Sequence, residues 1–219
     1  MPPEPKLIVF DTSAAHCAAA LLLGDQVITR IDEMAKGQAE HLMPMLNEML
    51  AEYGLAWSDL HAIGVGIGPG NFTGIRISVA AARGLALGLG KPAIGISTLE
   101  AQAYGLEGRI LSCLDARRDR VYAQMFLGDG PISDAAIYDT VDPHLRQING
   151  DPPRLVGPVA DMLSGITGLA VAQQNSPTIG AMARIAASRI GTDHTRPSPL
   201  YIRSADAAPP RDRAPKILT

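Results

Sequence analysis

The 219-residue sequence predicts an α/β protein of two similar lobes, each with a mixed β-sheet flanked by helices. Three features predict this fold class: an internal repeat, strands that end at an aspartate, and a glycine-rich loop between a strand and a helix. We expect residues 1–105 to form the first lobe and residues 106–203 the second. Residues 204–219 are expected to form an extended or disordered basic tail.

The composition is that of an ordinary globular protein and excludes few functions. It is 47% apolar and 19% charged with a net charge of −3, so no excess of basic charge indicates nucleic-acid binding. Because Arg83 and Lys91 interrupt the long apolar stretches, we expect no membrane span, and the proline-rich N-terminus is not typical of a signal peptide. A cytoplasmic location follows. The two cysteines lack metal-ligand spacing and are expected to be buried thiols.

The first half predicts a hairpin followed by a helix and another strand. Strands are expected at 6–10, 16–23 and 26–32, with a Gly-Asp turn between the last two. Apolar residues then recur at three- and four-residue spacing over 38–53, which predicts one amphipathic helix. Pro44 is awkward within it, so either the regular helix begins near Met43 or its first turns are kinked. A buried strand follows at 62–67.

A glycine-rich loop, Gly68-Pro69-Gly70-Asn71-Phe72-Thr73-Gly74, joins this strand to a predicted helix over 73–88. Free amides at a helix N-terminus after such a loop form an anion site in many proteins. The loop lacks the ending of a phosphate-binding P-loop, however, and a tight turn with Asn71 or Thr73 as the helix cap is the alternative. A short strand is expected at 93–96.

The second half repeats the first. Moving residues 7–28 forward by 104 positions places them on 111–132 without a gap, and seven of the 22 pairs are identical. The matched pairs include Asp11 with Asp115, each directly after a strand, and two Gly-Asp turns. A duplicated unit is therefore predicted. A short strand at 154–156 and a helix at 177–190 follow.

Two lobes that each begin with an aspartate-ended hairpin resemble the actin-like (ASKHA) superfamily of Hsp70 ATPases and sugar kinases. That resemblance implies that Asp11 and Asp115 face a nucleotide's phosphates across a cleft, although each aspartate alone could be a turn residue. The residues that the resemblance places in a nucleotide or phosphate cleft are Asp11, Thr12, Ser13, Gly68, Gly70 and Asp115.

More specific motifs resemble the TsaB (YeaZ) family over roughly residues 6–203. These motifs are 8–13, His41-Leu42-Met43-Pro44, the Gly68–Arg76 loop, 95–101, 115–118 and Tyr201-Ile202-Arg203. The resemblance implies a non-catalytic subunit that works with the paralogue TsaD and the ATPase TsaE. Together they place a threonylcarbamoyl group on the adenosine 3′ of the tRNA anticodon. It also implies that the chain needs no cofactor of its own, although ATP or ADP could bind at the boundary of the complex.

A catalytic role is not supported by the residues themselves. In the catalytic paralogue, two histidines four residues apart on a helix bind a metal, and the matching positions here are Thr98 and Gln102. Because neither side chain is a good transition-metal ligand, no metal site is expected. An active ATPase or phosphotransferase and a metal-dependent, glycoprotease-like hydrolase remain the alternatives.

Two surfaces are candidates for binding. We expect helices 38–53 and 73–88 to pair with the paralogue, or with a second copy of the chain in its absence, because two glycines within a helix indicate a closely approached backbone. The residues expected there are Leu42, Met45, Met49, Ile77, Ala80, Ala81, Gly84 and Gly88. Packing of these glycines within the chain is the alternative.

A group of arginines lies at the predicted tip of the second hairpin. Arg117, Arg118 and Arg120 could contact tRNA phosphates there, or they could belong to a solvated turn. The tRNA is expected to reach this chain through the complex, and no membrane is expected as a partner.

Overall fold

A computed structural model describes residues 4–128, 130–142, 145, 151–192 and 195–202. Arg203 and the predicted tail at 204–219 lie outside these residues. The first lobe has a five-stranded sheet in the order β3-β2-β1-β4-β5. Its strands are β1 (Lys6–Asp11), β2 (His16–Leu23), β3 (Gln26–Glu33), β4 (Ala62–Gly66) and β5 (Ala93–Ile96).

The three β-strands of the hairpin unit are antiparallel, whereas β4 and β5 run parallel to β1. Parallel strands need a crossover connection, and two helices supply these connections. Helix α1 (Gln38–Glu52) leads from β3 to a 3₁₀ turn at Trp57–Asp59 and then β4, and helix α2 (Phe72–Leu89) connects β4 to β5. Both helices pack on one face of the sheet. Pro44 lies within α1, which begins at Gln38 rather than near Met43.

The second lobe repeats this plan in a shorter form. Its sheet has the order β10-β6-β7-β8, and β9 pairs with β7. The strands are β6 (Arg109–Asp115), β7 (Arg120–Leu127), β8 (Gly130–Pro131), β9 (Ala136–Asp139) and β10 (Arg154–Val156). β10 runs parallel beside β6 as β4 does beside β1, and a single parallel bridge from Leu155 to Val171 stands where β5 would be. The predicted duplication is confirmed at the level of topology.

The two hairpins differ in register by one residue, although the sequence repeat has no gap. Asp11 pairs with Ala18, whereas Asp115 pairs with Val121, which the repeat aligns with Cys17. The shorter second turn has three successive residues with positive φ, Arg117, Arg118 and Asp119. Such backbone is unfavourable for non-glycine residues, so this turn is strained.

The remaining helices connect the lobes. Helix α3 (Thr98–Ala103) packs against the second sheet through Leu99 and Ala103, and α4 (Ala160–Thr167) covers β10. Helix α5 (Thr178–Ser188) packs on the first sheet instead, where Ile179 and Met182 share a core with Leu7 and Val9. The prediction that 106–203 forms the second lobe was therefore wrong for α5, because this helix covers the face of the first sheet opposite α1 and α2.

Helix α2 differs from the expectation that no segment is long and apolar enough to span a membrane. By length and mean hydropathy alone, it is long and apolar enough to cross a membrane. Its many alanine, leucine and isoleucine residues outweigh Arg76 and Arg83 in that average. One face of the helix belongs to the fold, because Ile75, Val79 and Ala82 are buried in the core of the first lobe.

Candidate functional site

A cleft between the lobes is the main concave feature of the described residues. Its volume is about 1220 Å³, which is ample for a small organic ligand. The ends of β1 and β6 meet there, so Asp11 and Asp115 line the same cleft as the duplication predicts. Ser13 and Gly70 also line it. Thr12 and Gly68 do not line the cleft. Thr12 is fully buried, and its hydroxyl donates a hydrogen bond to Gly74 O at 2.7 Å.

Asp11 is held within the first lobe. It is only 4% exposed, and its Oδ2 accepts hydrogen bonds from Ser13 N at 3.1 Å and Ser13 Oγ at 2.8 Å. His16 Nε2 lies 3.3 Å from the same oxygen. Oδ1 is buried without a partner and packs over Gly66, where a Cβ would lie 2.0 Å away. Oδ2 of the carboxylate is thus held by its own neighbours, and Oδ1 is enclosed against Gly66.

Asn71 caps helix α2 at the end of the glycine-rich loop. Asn71 Oδ1 accepts a hydrogen bond from Gly74 N at 3.0 Å, and Asn71 N donates to Ser13 O at 2.6 Å. The amides of Asn71 and Gly74 are therefore already hydrogen-bonded within the chain. The glycines allow the loop to touch the first hairpin, since a Cβ would lie 1.8 Å from Thr12 O at Gly74 and 2.5 Å from Ser13 O at Gly70.

Thr98 and Gln102, the positions that the resemblance matches to the paralogue's histidines, line the cleft. Gln102 is buried, and its Oε1 accepts a hydrogen bond from Ser112 Oγ at 2.9 Å. Thr98 Oγ1 is buried without a hydrogen-bond partner. Within the described part of the chain, no three histidine, cysteine or acidic side chains are grouped so that they could hold a metal ion.

The strained turn of the second hairpin forms the opposite rim. Asp115 is exposed, and its Oδ1 accepts a hydrogen bond from Arg117 N at 2.7 Å. Arg117 lines the cleft and Arg118 is exposed beside it, whereas Arg120 is half-buried at the start of β7. Of the three arginines expected to contact tRNA, Arg117 lines the cleft, and that contact stays a prediction.

Helices α1 and α2 were expected to form a partner-binding surface together, and their exposed residues agree with this only in part. Leu42, Met45 and Met49 are buried in the core of the first lobe, with Met45 1% exposed, so their expected place on an exposed binding surface was wrong. The apolar stripe of α1 faces its own sheet. Its exposed side carries polar residues instead, among them Asn47 and Glu48.

Helix α2 does present an exposed face. Ala80, Gly84 and Gly88 are exposed, and a Cβ at either glycine would meet nothing within 4 Å, which excludes close packing of these glycines within the described chain. Leu87 on the same face is 80% exposed. The half-buried residues Ile77 and Ala81 border this face and pack against the core.

Sequence reasoning missed several residues near the cleft. His16 was not singled out, although its position five residues after Asp11 at the start of the next strand could have indicated it. The exposed rings of Phe72 and Tyr201 were seen only as parts of motifs, and their contact with each other depends on the fold. The hydrogen bond to Asp11 and nearby acidic charge raise the pKa of His16, despite the opposing effect of burial.

Both cysteines are buried free thiols and lie outside any reactive arrangement of described residues. Burial raises the pKa of Cys113 to about 12 and that of Cys17 to about 11. Because the thiolate is the reactive form, neither is a candidate nucleophile at neutral pH.

Comparison with known proteins finds relatives both by sequence and by structure. A family model described as TsaD, tRNA N6-adenosine threonylcarbamoyltransferase, matches residues 26–203. The tRNA threonylcarbamoyladenosine biosynthesis proteins TsaB of Escherichia coli (strain K12) and Haemophilus influenzae (strain ATCC 51907 / DSM 11121 / KW20 / Rd) are 34% and 37% identical, each over 122 residues. These alignments cover 53% of this chain and 53% and 51% of the relatives. The chain thus spans about half the length of these curated relatives.

Other relatives are similar over nearly the whole chain. An uncharacterized protein of Mycobacterium tuberculosis (strain ATCC 25618 / H37Rv) is 30% identical over 93% of this chain and 94% of its own length. The solved structure of YeaZ from Pseudomonas aeruginosa is 25% identical, with a TM-score of 0.69 over 90% of this chain and 100% of that one. A second Pseudomonas aeruginosa structure, described as an uncharacterized protein with similarity to peptidase YEAZ, has a TM-score of 0.71 and 25% identity. It covers 91% of this chain and all of that one.

Proposed function

The chain belongs to the TsaB (YeaZ) family, which has the actin-like fold, and on that premise we propose that it is the non-catalytic subunit of a threonylcarbamoyl-transferase complex. With TsaD and TsaE, it would help to place threonylcarbamoyl on the adenosine 3′ of the tRNA anticodon. The names of the curated relatives support the pathway. A cytoplasmic location follows from a tRNA substrate.

The accessory role rests on Thr98 and Gln102. The family model that matches this chain describes a transferase, so the chain shares its fold with a catalytic protein. Gln102 offers a buried amide bonded to Ser112 where a metal-binding imidazole is expected, and Thr98 offers only a hydroxyl. Neither group supplies a transition-metal site, so catalysis belongs to the paralogue.

Helix α2 supports the role of a partner-binding subunit. Its exposed face is shallow at Gly84 and Gly88 and carries the apolar side chain of Leu87, a combination that allows close approach of another helix. We assign this face to the paralogue, and to a second copy of this chain when the paralogue is absent. The buried residues of α1 pack in the same core as the buried side of α2 and do not contact the partner.

Within the described residues, the cleft is large enough for a nucleotide, but Asp11 Oδ2 and the amides of Asn71 and Gly74 already have hydrogen-bond partners within the chain. We propose that this chain needs no cofactor of its own, and that ATP or ADP would bind with groups from the partner at the boundary of the complex. This arrangement gives no support to the alternative of an active ATPase or phosphotransferase, and the lack of a metal cluster in the described residues gives none to a hydrolase.

Reconstitution tests this proposal. The chain, TsaD and TsaE are combined with tRNA, ATP and threonylcarbamoyl-AMP, and each protein is omitted in turn. We expect modified nucleoside only when both this chain and TsaD are present, and no ATP turnover or bound metal from the chain alone. Modification of tRNA by the isolated chain, or about one zinc or iron ion per purified chain, would contradict the accessory role.

A further inference from the structure

Three side chains, of which Phe72 lines the cleft, form a cluster that the partner-binding role does not explain. The Arg76 guanidinium lies 3.7 Å from the centroid of the Phe72 ring and 5.9 Å from that of Tyr201. Its Nε donates a hydrogen bond to Tyr201 Oη at 2.9 Å, and the two ring centroids are 5.2 Å apart. We call Phe72, Arg76 and Tyr201 the stacking cluster.

The stacking cluster is both exposed and held in place. Phe72 is 52% exposed and Tyr201 43%, so ring surface is open to solvent. Phe72 is the first residue of α2, directly after the Asn71 cap, and Leu200 N donates to Ile67 O at 2.8 Å beside Tyr201. Two segments 125 residues apart therefore fix one another. A preorganised exposed aromatic surface loses little conformational entropy when it binds a ligand.

The local charge favours an anionic ligand. Helix α2 contains no aspartate or glutamate, and its charged residues are Arg76 and Arg83. Among the residues that the structure describes, no carboxylate forms an ion pair with Arg76. Phe72 also lines the cleft whose opposite rim holds Arg117. A ligand at the stacking cluster thus meets exposed aromatic rings and the Arg76 guanidinium, which forms no ion pair with a described carboxylate.

We propose that the stacking cluster binds an unpaired base of a single-stranded RNA loop, with Arg76 contacting the adjoining phosphate. Stacking on Phe or Tyr with an arginine on the backbone is the usual chemistry of single-stranded nucleic-acid recognition. The inference rests on the proposed function, since that function supplies an RNA substrate, and it gives this chain a direct contact with it.

The cluster is separate from the face assigned to the paralogue. Leu87 follows Phe72 by 15 residues, a distance of about 22 Å along a helix. The shallow part of α2 at Gly84 and Gly88 adjoins Leu87, whereas the cluster adjoins the cleft. One helix can therefore bind protein at its C-terminal half and RNA at its N-terminal end.

RNA binding by the assembled complex tests the inference. The probe is a labelled RNA stem-loop with an unpaired loop, compared with a fully paired duplex, and binding is measured by fluorescence anisotropy. We expect Phe72→Ala to weaken stem-loop binding about 5- to 100-fold, the range typical for loss of one stacked base, with little effect on the duplex. Tyr201→Phe, which keeps the ring, should retain more binding than Tyr201→Ala. Arg76→Gln should lower the salt dependence of binding, with a slope reduced by about 0.7.

Tyr53→Ala is the matched control, because its ring is also exposed, at 42%, but does not line the cleft. It should leave both RNA binding by the assembled complex and pull-down of the paralogue unchanged, whereas Phe72→Ala should leave only the pull-down unchanged. Loss of pull-down with Phe72→Ala would place the cluster in the protein interface and overturn the inference. Unchanged stem-loop binding by all cluster variants would overturn it as well. If the wild-type chain does not assemble with the paralogue, the proposed function fails instead.

Discussion

The His16 imidazole links the two ends of the first hairpin turn through Asp11. Its pKa is raised chiefly by the hydrogen bond to Asp11, so the protonated form is favoured in the folded chain. A raised folded-state pKa stabilises the protein fully below the unfolded value of about 6.5, and that contribution is lost as pH rises through the folded value.

Replacement of His16 by glutamine tests this pair, because glutamine can donate a hydrogen bond but cannot gain a proton. We expect wild type to be more stable than His16→Gln by about 1 kcal/mol at pH 5.5, with the difference shrinking toward zero as pH rises to 9. Urea unfolding at each pH measures the free energy of unfolding. A difference that is constant from pH 5.5 to 9 would show that the charge of His16 does not contribute.

Some of these residues could be predicted from the sequence and others could not. Asp11 and Asp115 could, because a gapless repeat carries equivalent residues to equivalent places in two lobes. Phe72 and Tyr201 could not be paired, since nothing local relates residues so far apart in the chain. The role of Gln102 was inferred from a resemblance, but its bond to Ser112 depends on how α3 lies against β6.

Helix α2 has both packed and exposed glycines, and we predict that replacing them with alanine has opposite effects on the free energy of unfolding. Gly74 lies against the first hairpin, where a Cβ would be 1.8 Å from Thr12 O, whereas Gly84 has open space around it. Gly74→Ala should lower the free energy of unfolding by about 1–3 kcal/mol, because the backbone at Thr12 or at position 74 must move to make room for the added methyl group. Gly84→Ala should raise it by up to about 1 kcal/mol through helix propensity.

Equilibrium urea unfolding of both variants provides the measurement, with each serving as the other's control for glycine replacement in one helix. If Gly84→Ala destabilised the isolated chain as strongly as Gly74→Ala, position 84 would be packed within the fold. Its assignment to a binding surface would then be withdrawn.

Helix α1 shows what the residue pattern of a single helix cannot predict. Its apolar stripe was recognised from residue spacing, and the helix lies over Gln38–Glu52 as expected within one residue. Spacing alone does not say whether such a stripe faces the protein's own sheet or a partner. The fold decides this for Leu42, Met45 and Met49, which fill the space between α1 and the first sheet.

At the scale of the whole molecule, the two lobes are less independent than the repeat suggested. Helix α5 returns from the second half to cover the first sheet, and Arg189 at its end pairs with Glu100 of α3. The second lobe is correspondingly smaller, with a single bridge at Val171 in place of a fifth strand. This arrangement covers the α5 face of the first sheet and leaves α2 on the opposite side open to a partner.

We propose that the chain acts by binding its paralogue through this open face of α2. Gly84→Arg places a long charged side chain there without an internal clash, and Gly165→Arg in α4 is the matched control, because a Cβ at Gly165 also meets nothing within 4 Å. Affinity for purified TsaD, measured by titration calorimetry on folded protein, is the direct test.

We expect Gly84→Arg to weaken this affinity about 30- to 1000-fold, the effect typical of an interface hot spot, and to abolish tRNA modification in the reconstituted system. Gly165→Arg should match wild type in both. Equal affinity of wild type, Gly84→Arg and Gly165→Arg for TsaD would contradict the account and place the interface elsewhere on the molecule.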